Sequence, residues 1–440
     1  MAAAAAQTAR RQLLGLYRAA LAAVDGRRRV REYLRQGHLA PPVHVIAVGK
    51  AAVPMLQGAL DALGSAVAGA LAVAPEGACG EHLSRLPGLR CLEASHPVPD
   101  ERSVAAGKAV VEEVAGLPPV GSLLFLTSGG ASSLVELPAP GVSLDALREA
   151  TRWLLASGLP IHAVNRVRKA LSAIKGGRLA AGLRGRPALH LVMADVPGDE
   201  LGSIGSGLIV PHAAADLDGR GLSLPRWLED LVAGSLPPVP EEAFGGLRHA
   251  VVASGAQARS VAAHRGRRLG YAVLRHGEPL VGDAREVGVR LAERILASPP
   301  GLQVWTGETT VRLPPTPGRG GRCQTLALAA AMVLAGSPDV VLLAAGTDGR
   351  DGSSEDAGAV VDGGTVARGI LAGLSPEDCL ERADAGSFLE ASGDLTHTGP
   401  TGTNVMDLIL ALRLAPTDYN SPFGRKGIHE VSVDFEANPA

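Results

Sequence analysis

Two carboxylates close an apolar run in the segment Ala345-Gly-Thr-Asp348-Gly-Arg-Asp351-Gly352, which directly follows Val340-Val-Leu-Leu-Ala344. A hydrophobic strand that stops and presents acids among glycines suits a sheet whose ligands bind beyond the carboxyl ends of its strands. Such acids can hold a divalent cation or orient a hydroxyl. Two further turns, Thr127-Ser-Gly-Gly-Ala-Ser-Ser133 and Thr398-Gly-Pro-Thr-Gly-Thr-Asn404, combine glycines with hydroxyls. Their backbone amides can form a nest for phosphate, or their serines can cap the next helix. Neither is a Walker A loop, because no Gly-Lys-Ser/Thr closes it.

Cations stand at similar places. Gly49-Lys50 follows the short apolar stretch His44-Val-Ile-Ala-Val48 and opens a helical pattern. An ammonium there opposes the helix dipole and is suited to an anionic ligand beside backbone N–H groups. Lys50, Lys108, Lys169, Lys175 and Lys426 are the only lysines among 42 basic residues, so each is worth weighing. Asn165-Arg-Val-Arg168-Lys169 followed by Lys175-Gly-Gly-Arg178 is a basic cluster, either a solvated surface or a contact to a polyanion. Arg322 follows Gly318-Arg-Gly-Gly and starts an apolar helix, where its fork of donors matches phosphate or carboxylate. Asp195 ends the run Ala188–Ala194 and precedes Val-Pro-Gly-Asp199; it is a candidate magnesium ligand or hydroxyl-orienting acid, while Asp199 suits an Asx turn. Cys323 lacks an identifiable histidine partner, so a nucleophilic role is disfavoured. His96, His162, His212 and His397 are scattered.

The elements that must position these groups read as alternating strand, turn and helix. Runs at 44–48, 70–74, 123–126 and 188–194 are short and almost continuously apolar, the pattern of a mostly parallel sheet covered on both faces. The Asp-, Gly- and Pro-containing stretch between Ala213 and Glu242 suggests a domain connection near residue 245. The reading is a first Rossmann-like α/β domain over 1–245 and a smaller mixed α/β domain over 246–440, with the active site in the cleft between them. Val251-Val-Ala253, Tyr271–Leu274 and Val340–Ala345 are expected as strands of the second domain. Val304–Glu308 and Thr310–Leu313 are expected to pair antiparallel.

At 440 residues the chain suits two domains. Its net charge of −2 supplies no field for nucleic acid or an anionic membrane, and 3% aromatics offer little for base stacking. No apolar run reaches the ~20 residues of a membrane span. Cys79, Cys91, Cys323 and Cys379 contain no CxxC pair and read as reduced thiols of an intracellular protein. The alanine-rich start places its arginine after the apolar residues, unlike a secretory signal; Leu13, Leu16, Tyr17, Leu21 and Val24 recur at helical spacing. A cytoplasmic location is expected. No Gly-x-Gly-x-x-Gly joins a strand to a helix, which counts against a dinucleotide-dependent dehydrogenase.

In combination, Gly49-Lys50-Ala-Ala, Ser95-His-Pro-Val-Pro-Asp100, Ser128-Gly-Gly130, Asn165 to Leu171 with Lys175-Gly-Gly, Gly198-Asp199, Gly307-Glu308-Thr-Thr-Val, Gly321-Arg322, Gly346-Thr-Asp-Gly-x-Asp-Gly352 and Thr398 to Asn404 resemble the glycerate 2-kinase family. This is the class II group, whose second half carries a domain named for its multi-organism arginine-rich fragment. The resemblance implies two α/β lobes and ATP- and Mg²⁺-dependent phosphorylation of D-glycerate to 2-phosphoglycerate, by a monomer or homodimer. It places Lys50 and Arg322 on the family's active-site lysine and arginine, and Asp195 and Asp348 on its strand-end acids. On this reading Ser128, Gly129, Gly130, Ser132, Lys169, Gly399, Thr401 and Asn404 bind the nucleotide, and Asp348, Asp195 and Asp351 the metal. Departures from the family pattern include Ala131, Ala194, Ile204-Gly-Ser-Gly-Leu-Ile209 and Cys323. The alternatives are an NAD(P)H-dependent hydroxypyruvate or tartronate-semialdehyde reductase, a label that family members have often carried, and a non-enzymatic scaffold.

Overall fold

The computed structural model describes residues 2–37, 39–80, 88–234 and 236–415; Ser235 of the proline-rich connection lies outside them. The first half builds a six-stranded sheet in the order β3-β2-β1-β4-β5-β6. Its strands are β1 (Val43–Val48), β2 (Val67–Pro75), β3 (Leu89–Ala94), β4 (Ser122–Thr127), β5 (Ala188–Ala194) and β6 (Leu247–Ser254), and every neighbouring pair is parallel. The apolar runs at 44–48, 123–126 and 188–194 are the central strands, and β4 and β5 are buried along their whole length. Beside β1 the chain order reverses, β2 lying on one side and β4 on the other. That reversal opens a crevice at the carboxyl ends of β1 and β4.

The second sheet is mixed, in the order β11-β10-β9-β12-β8-β7, with β7 (Val273–Arg275), β8 (Gly301–Gly307), β9 (Val340–Gly346), β10 (Gly358–Asp362), β11 (Leu395–Thr396) and β12 (Asp407–Arg413). Only β7 and β8 run parallel. The antiparallel character does not come from the expected pair, because Thr310–Leu313 forms no strand. β8 pairs instead with the later strand β12, Gly307 opposite Asp407.

Two assignments change with the tertiary structure. The strand containing Val251-Val-Ala253 pairs with β5 and belongs to the first sheet. The N-terminal helix Ala2–Ala23 packs on the second sheet, against β9 and β12, and on the helix Gly255–Arg268. Leu13, Leu16, Tyr17, Ala20 and Val24 are its buried stripe, in one apolar cluster with Leu343, Leu408 and Leu410. Arg10 fastens the helix to Asp362 and Asp394, and the Tyr17 hydroxyl donates to the Gly346 carbonyl. The first helix thus ties the two halves of the chain together.

A further correction concerns the thiols. Cys79 and Cys91 form a disulfide, their Cα atoms 5.9 Å apart, while Cys323 and Cys379 are free and buried. Cys91 lies on edge strand β3, paired with β2, and Cys79 follows the end of β2. The expectation of four reduced thiols fails for this pair, and with it that support for an intracellular setting. Among the described residues no helix is long and apolar enough to cross a membrane.

Candidate active site

The crevice of the first sheet is laced by backbone. Ser128 N donates to Val48 O at 3.0 Å and Lys50 N to Gly129 O at 2.9 Å, so the turns after β4 and β1 hold each other. The Ser128 hydroxyl accepts from Ala51 N at 2.9 Å and is fully buried; it braces the start of the helix Ala52–Leu63. Gly49, at φ +129°, leaves no room for a side chain, since a Cβ there would stand 2.2 Å from Ser128 Oγ. Gly129 is equally constrained: a Cβ would lie 1.8 Å from Asp195 Oδ2 and 2.0 Å from Asn404 Nδ2. The strand-end turn, the acid after β5 and the loop before β12 therefore converge, and Asn404 Nδ2 donates to Asp195 Oδ2 at 3.3 Å.

The second sheet presents its charged groups on the facing edge. β12 runs antiparallel to both β8 and β9, and Asp407 at its start is paired with Gly307 and Gly346 at their ends. Glu308, Asp348 and Asp407 are consequently collected at one edge from distant sequence positions. Arg322, at the start of the helix Arg322–Leu334, donates to Asp407 through Nε at 2.6 Å and Nη2 at 3.0 Å, and its Nη1 lies 2.8 Å from Glu308 Oε1. Lys50 Nζ crosses from the first half to donate to Asp348 Oδ2 at 2.7 Å. The side chains of Lys50, Arg322 and Glu308 are 31%, 35% and 40% accessible, so they line an open cleft.

This geometry separates the acids. Burial pushes Asp348 up, but the charge and hydrogen bond of Lys50 and the Arg350 N–H outweigh it, and its pKa lies below the ordinary value. Asp195 has no such cation in contact; burial and the neighbouring Glu308 raise it to about 7, against the weaker pull of Lys50 and Arg322. His96 stands exposed at the rim of the cleft, and its pKa is lowered by desolvation between the converging turns and by the positive charges of Lys50 and Arg168. A fixed carboxylate, an acid poised near neutrality and two anchored cations in one cleft are equipment for moving a proton and stabilising a charged group.

Several anticipated site residues also make structural contacts. Asp351 is 3% exposed, and its two oxygens accept from Cys323 N and Gln324 N, capping the helix that carries Arg322. Burial raises its pKa to about 7 despite these bonds. Both oxygens thus brace the start of that helix. Thr401 donates to the Thr347 carbonyl, and Gly399 packs on Gly349, whose Cβ would meet the Gly399 carbonyl at 2.0 Å. This loop thereby fixes the turn that bears Asp348. Ser132 Oγ pairs with Ser206 Oγ at 2.9 Å. Lys169 is nearly buried, and burial lowers its pKa to about 8, partly offset by Asp216 and Glu200; these acids belong to the flank of the first lobe. Gly130 packs beside Lys50 and His96.

Sequence reasoning gave no role to Glu308, Asp407 or His96. An acid opening the apolar run Leu408–Leu412, directly after a glycine-rich loop, was a usable signal for Asp407. Cys323 is 2% exposed, and burial with Asp407 and Asp351 keeps its thiol protonated, the opposite of an activated nucleophile. Among the described residues no three His, Cys, Asp or Glu side chains form a metal cage. Magnesium needs none, because it commonly takes one or two carboxylates and leaves its other positions to water and phosphate.

Comparison with known proteins identifies the family. Residues 12–220 match the model of a domain of unknown function, DUF4147, and residues 302–407 that of the MOFRL family. A D-glycerate 2-kinase of Thermotoga maritima is 36% identical over 389 residues, spanning 84% of this chain and 90% of that protein. A glycerate 2-kinase of Pyrococcus horikoshii is 33% identical, spanning 84% and 87%. The crystal structure of glycerate kinase from Thermotoga maritima superposes with a TM-score of 0.78 at 33% identity, covering 93% of this chain and all of that one. With both halves matched in order and a cleft that joins them, the chain belongs to the class II glycerate kinase family.

Proposed function

We propose that this enzyme transfers the γ-phosphoryl group of ATP to the 2-hydroxyl of D-glycerate, as a monomer or homodimer in the cytoplasm. The observation that carries the reading is the Lys50–Asp348 pair, which joins the switch point of the first sheet to the strand-end acid of the second. Asp348, kept ionised by Lys50, would hold Mg²⁺, which when bound neutralises charge on the nucleotide phosphates. Lys50 would turn from Asp348 to the transferring group, at a site already framed by the Gly129 and Gly130 backbone. Asp407 and Glu308 hold Arg322 by three of its nitrogens, so its guanidinium is oriented before substrate arrives. Asp195 is the better group to orient the substrate hydroxyl and take its proton late, because its pKa of about 7 lies near the working pH. A loose phosphoryl-transfer transition state asks no more of a base than this.

Sheet order alone would also suit a dinucleotide enzyme. The turn after β1 reads Gly49-Lys50-Ala51-Ala52-Val53-Pro54, with alanine and proline where that fingerprint requires its second and third glycines, which favours phosphoryl transfer over hydride transfer. The test is ADP release dependent on D-glycerate, with phosphorus NMR of the product to locate the phosphate. Oxidation of NADH or NADPH by hydroxypyruvate, without ADP formation, would overturn the proposal.

A further inference from the structure

The cations of the cleft are not equally provided for. Lys50 is paired with Asp348, and Arg322 with Asp407 and Glu308. Arg168, on the helix Ile161–Ala170, has no hydrogen bond or ion pair among the described residues. The anion that acts on it is Glu136, and Glu136 is already satisfied. Lys175 Nζ donates to its Oε2, and Ser172 Oγ and Leu137 N donate to its Oε1. Glu136 and Lys175 cancel, so the guanidinium leaves one surplus positive charge in a poorly hydrated place. A protein keeps such a charge at a cost to its stability.

Arg168 lines a cavity of about 10 Å³ with Pro97, Ser132, Ser133, Glu136 and Lys175, room for about one water-sized group. On the open side His96 is in electrostatic reach of Arg168, Lys50 and Asp348 together, and it packs with Lys50 around Gly130. The cavity that Arg168 lines is thus walled by Pro97, next to His96, and by Ser132, just after the Gly129–Gly130 turn that packs on Lys50. A space this small admits the end of a small acid and excludes a base or sugar ring. A guanidinium fork matches a carboxylate with two parallel hydrogen bonds.

We propose that Arg168 is the receptor for the carboxylate of the hydroxy-acid substrate, and so the residue that makes the enzyme select acids over neutral polyols. The assignment rests on the kinase reading above, and it leaves the adjacent hydroxyl to face Lys50, Asp195 and Asp348.

The experiment compares full-length wild type with Arg168→Gln and Arg168→Lys. For Arg168→Gln, the KM for D-glycerate should rise on the order of 100-fold, as for truncation of one partner of a buried charged hydrogen bond. The KM for ATP should stay within about threefold of wild type. The preference for D-glycerate over its neutral amide should collapse, and Arg168→Lys should fall between. Without substrate, the melting temperature of Arg168→Gln should equal or exceed that of wild type, because a surplus charge has been removed. D-glycerate should raise the melting temperature of wild type but not of this variant. An unchanged acid-to-amide preference, a rise confined to the KM for ATP, or a lowered melting temperature with normal kinetics would each overturn the assignment. Should wild type fail to phosphorylate D-glycerate while 2-hydroxy acids still raise its melting temperature through Arg168, the kinase reading falls and the carboxylate receptor stands.

Discussion

Replacing Lys50 by methionine isolates the charge that bridges the two halves, since the two side chains have similar length and the change removes only the ammonium. At the 2.7 Å separation of Lys50 Nζ and Asp348 Oδ2, an effective dielectric of about 20 gives a gross attraction of roughly 6 kcal/mol. The side chains are 31% and 17% accessible, so competing water and desolvation leave a net stability contribution of about 1–2 kcal/mol. The protein should therefore fold, with a modestly lowered melting temperature. Catalysis should suffer more. An ammonium aimed at the transferring phosphoryl group is worth on the order of 100-fold or more in kcat/KM, about 2.7 kcal/mol. A second signature follows from the pH dependence. Lys50 is what holds Asp348 below its ordinary pKa against burial. Without it the carboxyl must take up its proton at higher pH, and the acidic limb of the kcat/KM profile should move upward. The assay is steady-state ADP release across pH 5 to 9 for wild type, Lys50→Met, Asp348→Asn and the double variant. Loss of less than threefold in Lys50→Met, or strictly additive losses in the double variant, would refute the coupling on which the mechanism depends.

Arg322→Ala should lower kcat/KM at least about 100-fold and also cost stability, because Asp407 and Glu308 are left facing each other; chemical denaturation with a coupled activity assay reads both. Asp195→Asn should lose activity yet gain stability with pH. The carboxyl pKa is raised to about 7 in the folded protein, so the native state binds more protons than the unfolded chain between about pH 4 and 7, and wild-type stability falls across that window. The melting-temperature difference between variant and wild type should grow over the same range and level off above it; a constant difference would contradict the burial argument. Cys323→Ala should retain most activity, and alkylating reagents should leave native enzyme active, since the thiol is buried and protonated; a phosphorylated cysteine detected at position 323 by mass spectrometry would reverse this.

Much of the fold was legible because it is written locally. The continuous apolar strands 44–48, 123–126 and 188–194 can only be buried on both faces, and that alone calls for a parallel sheet under helices. Gly49-Lys50, Ser128-Gly-Gly130, Asp195 and Asp348 could be picked out because each ends such a run, and strand ends are where an α/β sheet exposes backbone and polar groups. Contacts between distant segments are another matter. That Arg322 is clamped by Asp407 and Glu308 follows from β12 lying antiparallel between β8 and β9, a neighbour relation that no single strand encodes. The same holds for β6, whose apolar pattern would satisfy either sheet, and for the N-terminal helix, whose buried stripe does not say which surface it covers. Asp351 and Ser128 show the limit most plainly. Residue type and spacing marked both as ligand candidates, and neither pattern showed that the close approach of other segments would engage their polar atoms at a helix start and in a turn. A buried hydrogen-bonding group takes the partner that packing brings to it, and packing between distant segments is fixed only when the chain has closed around its core.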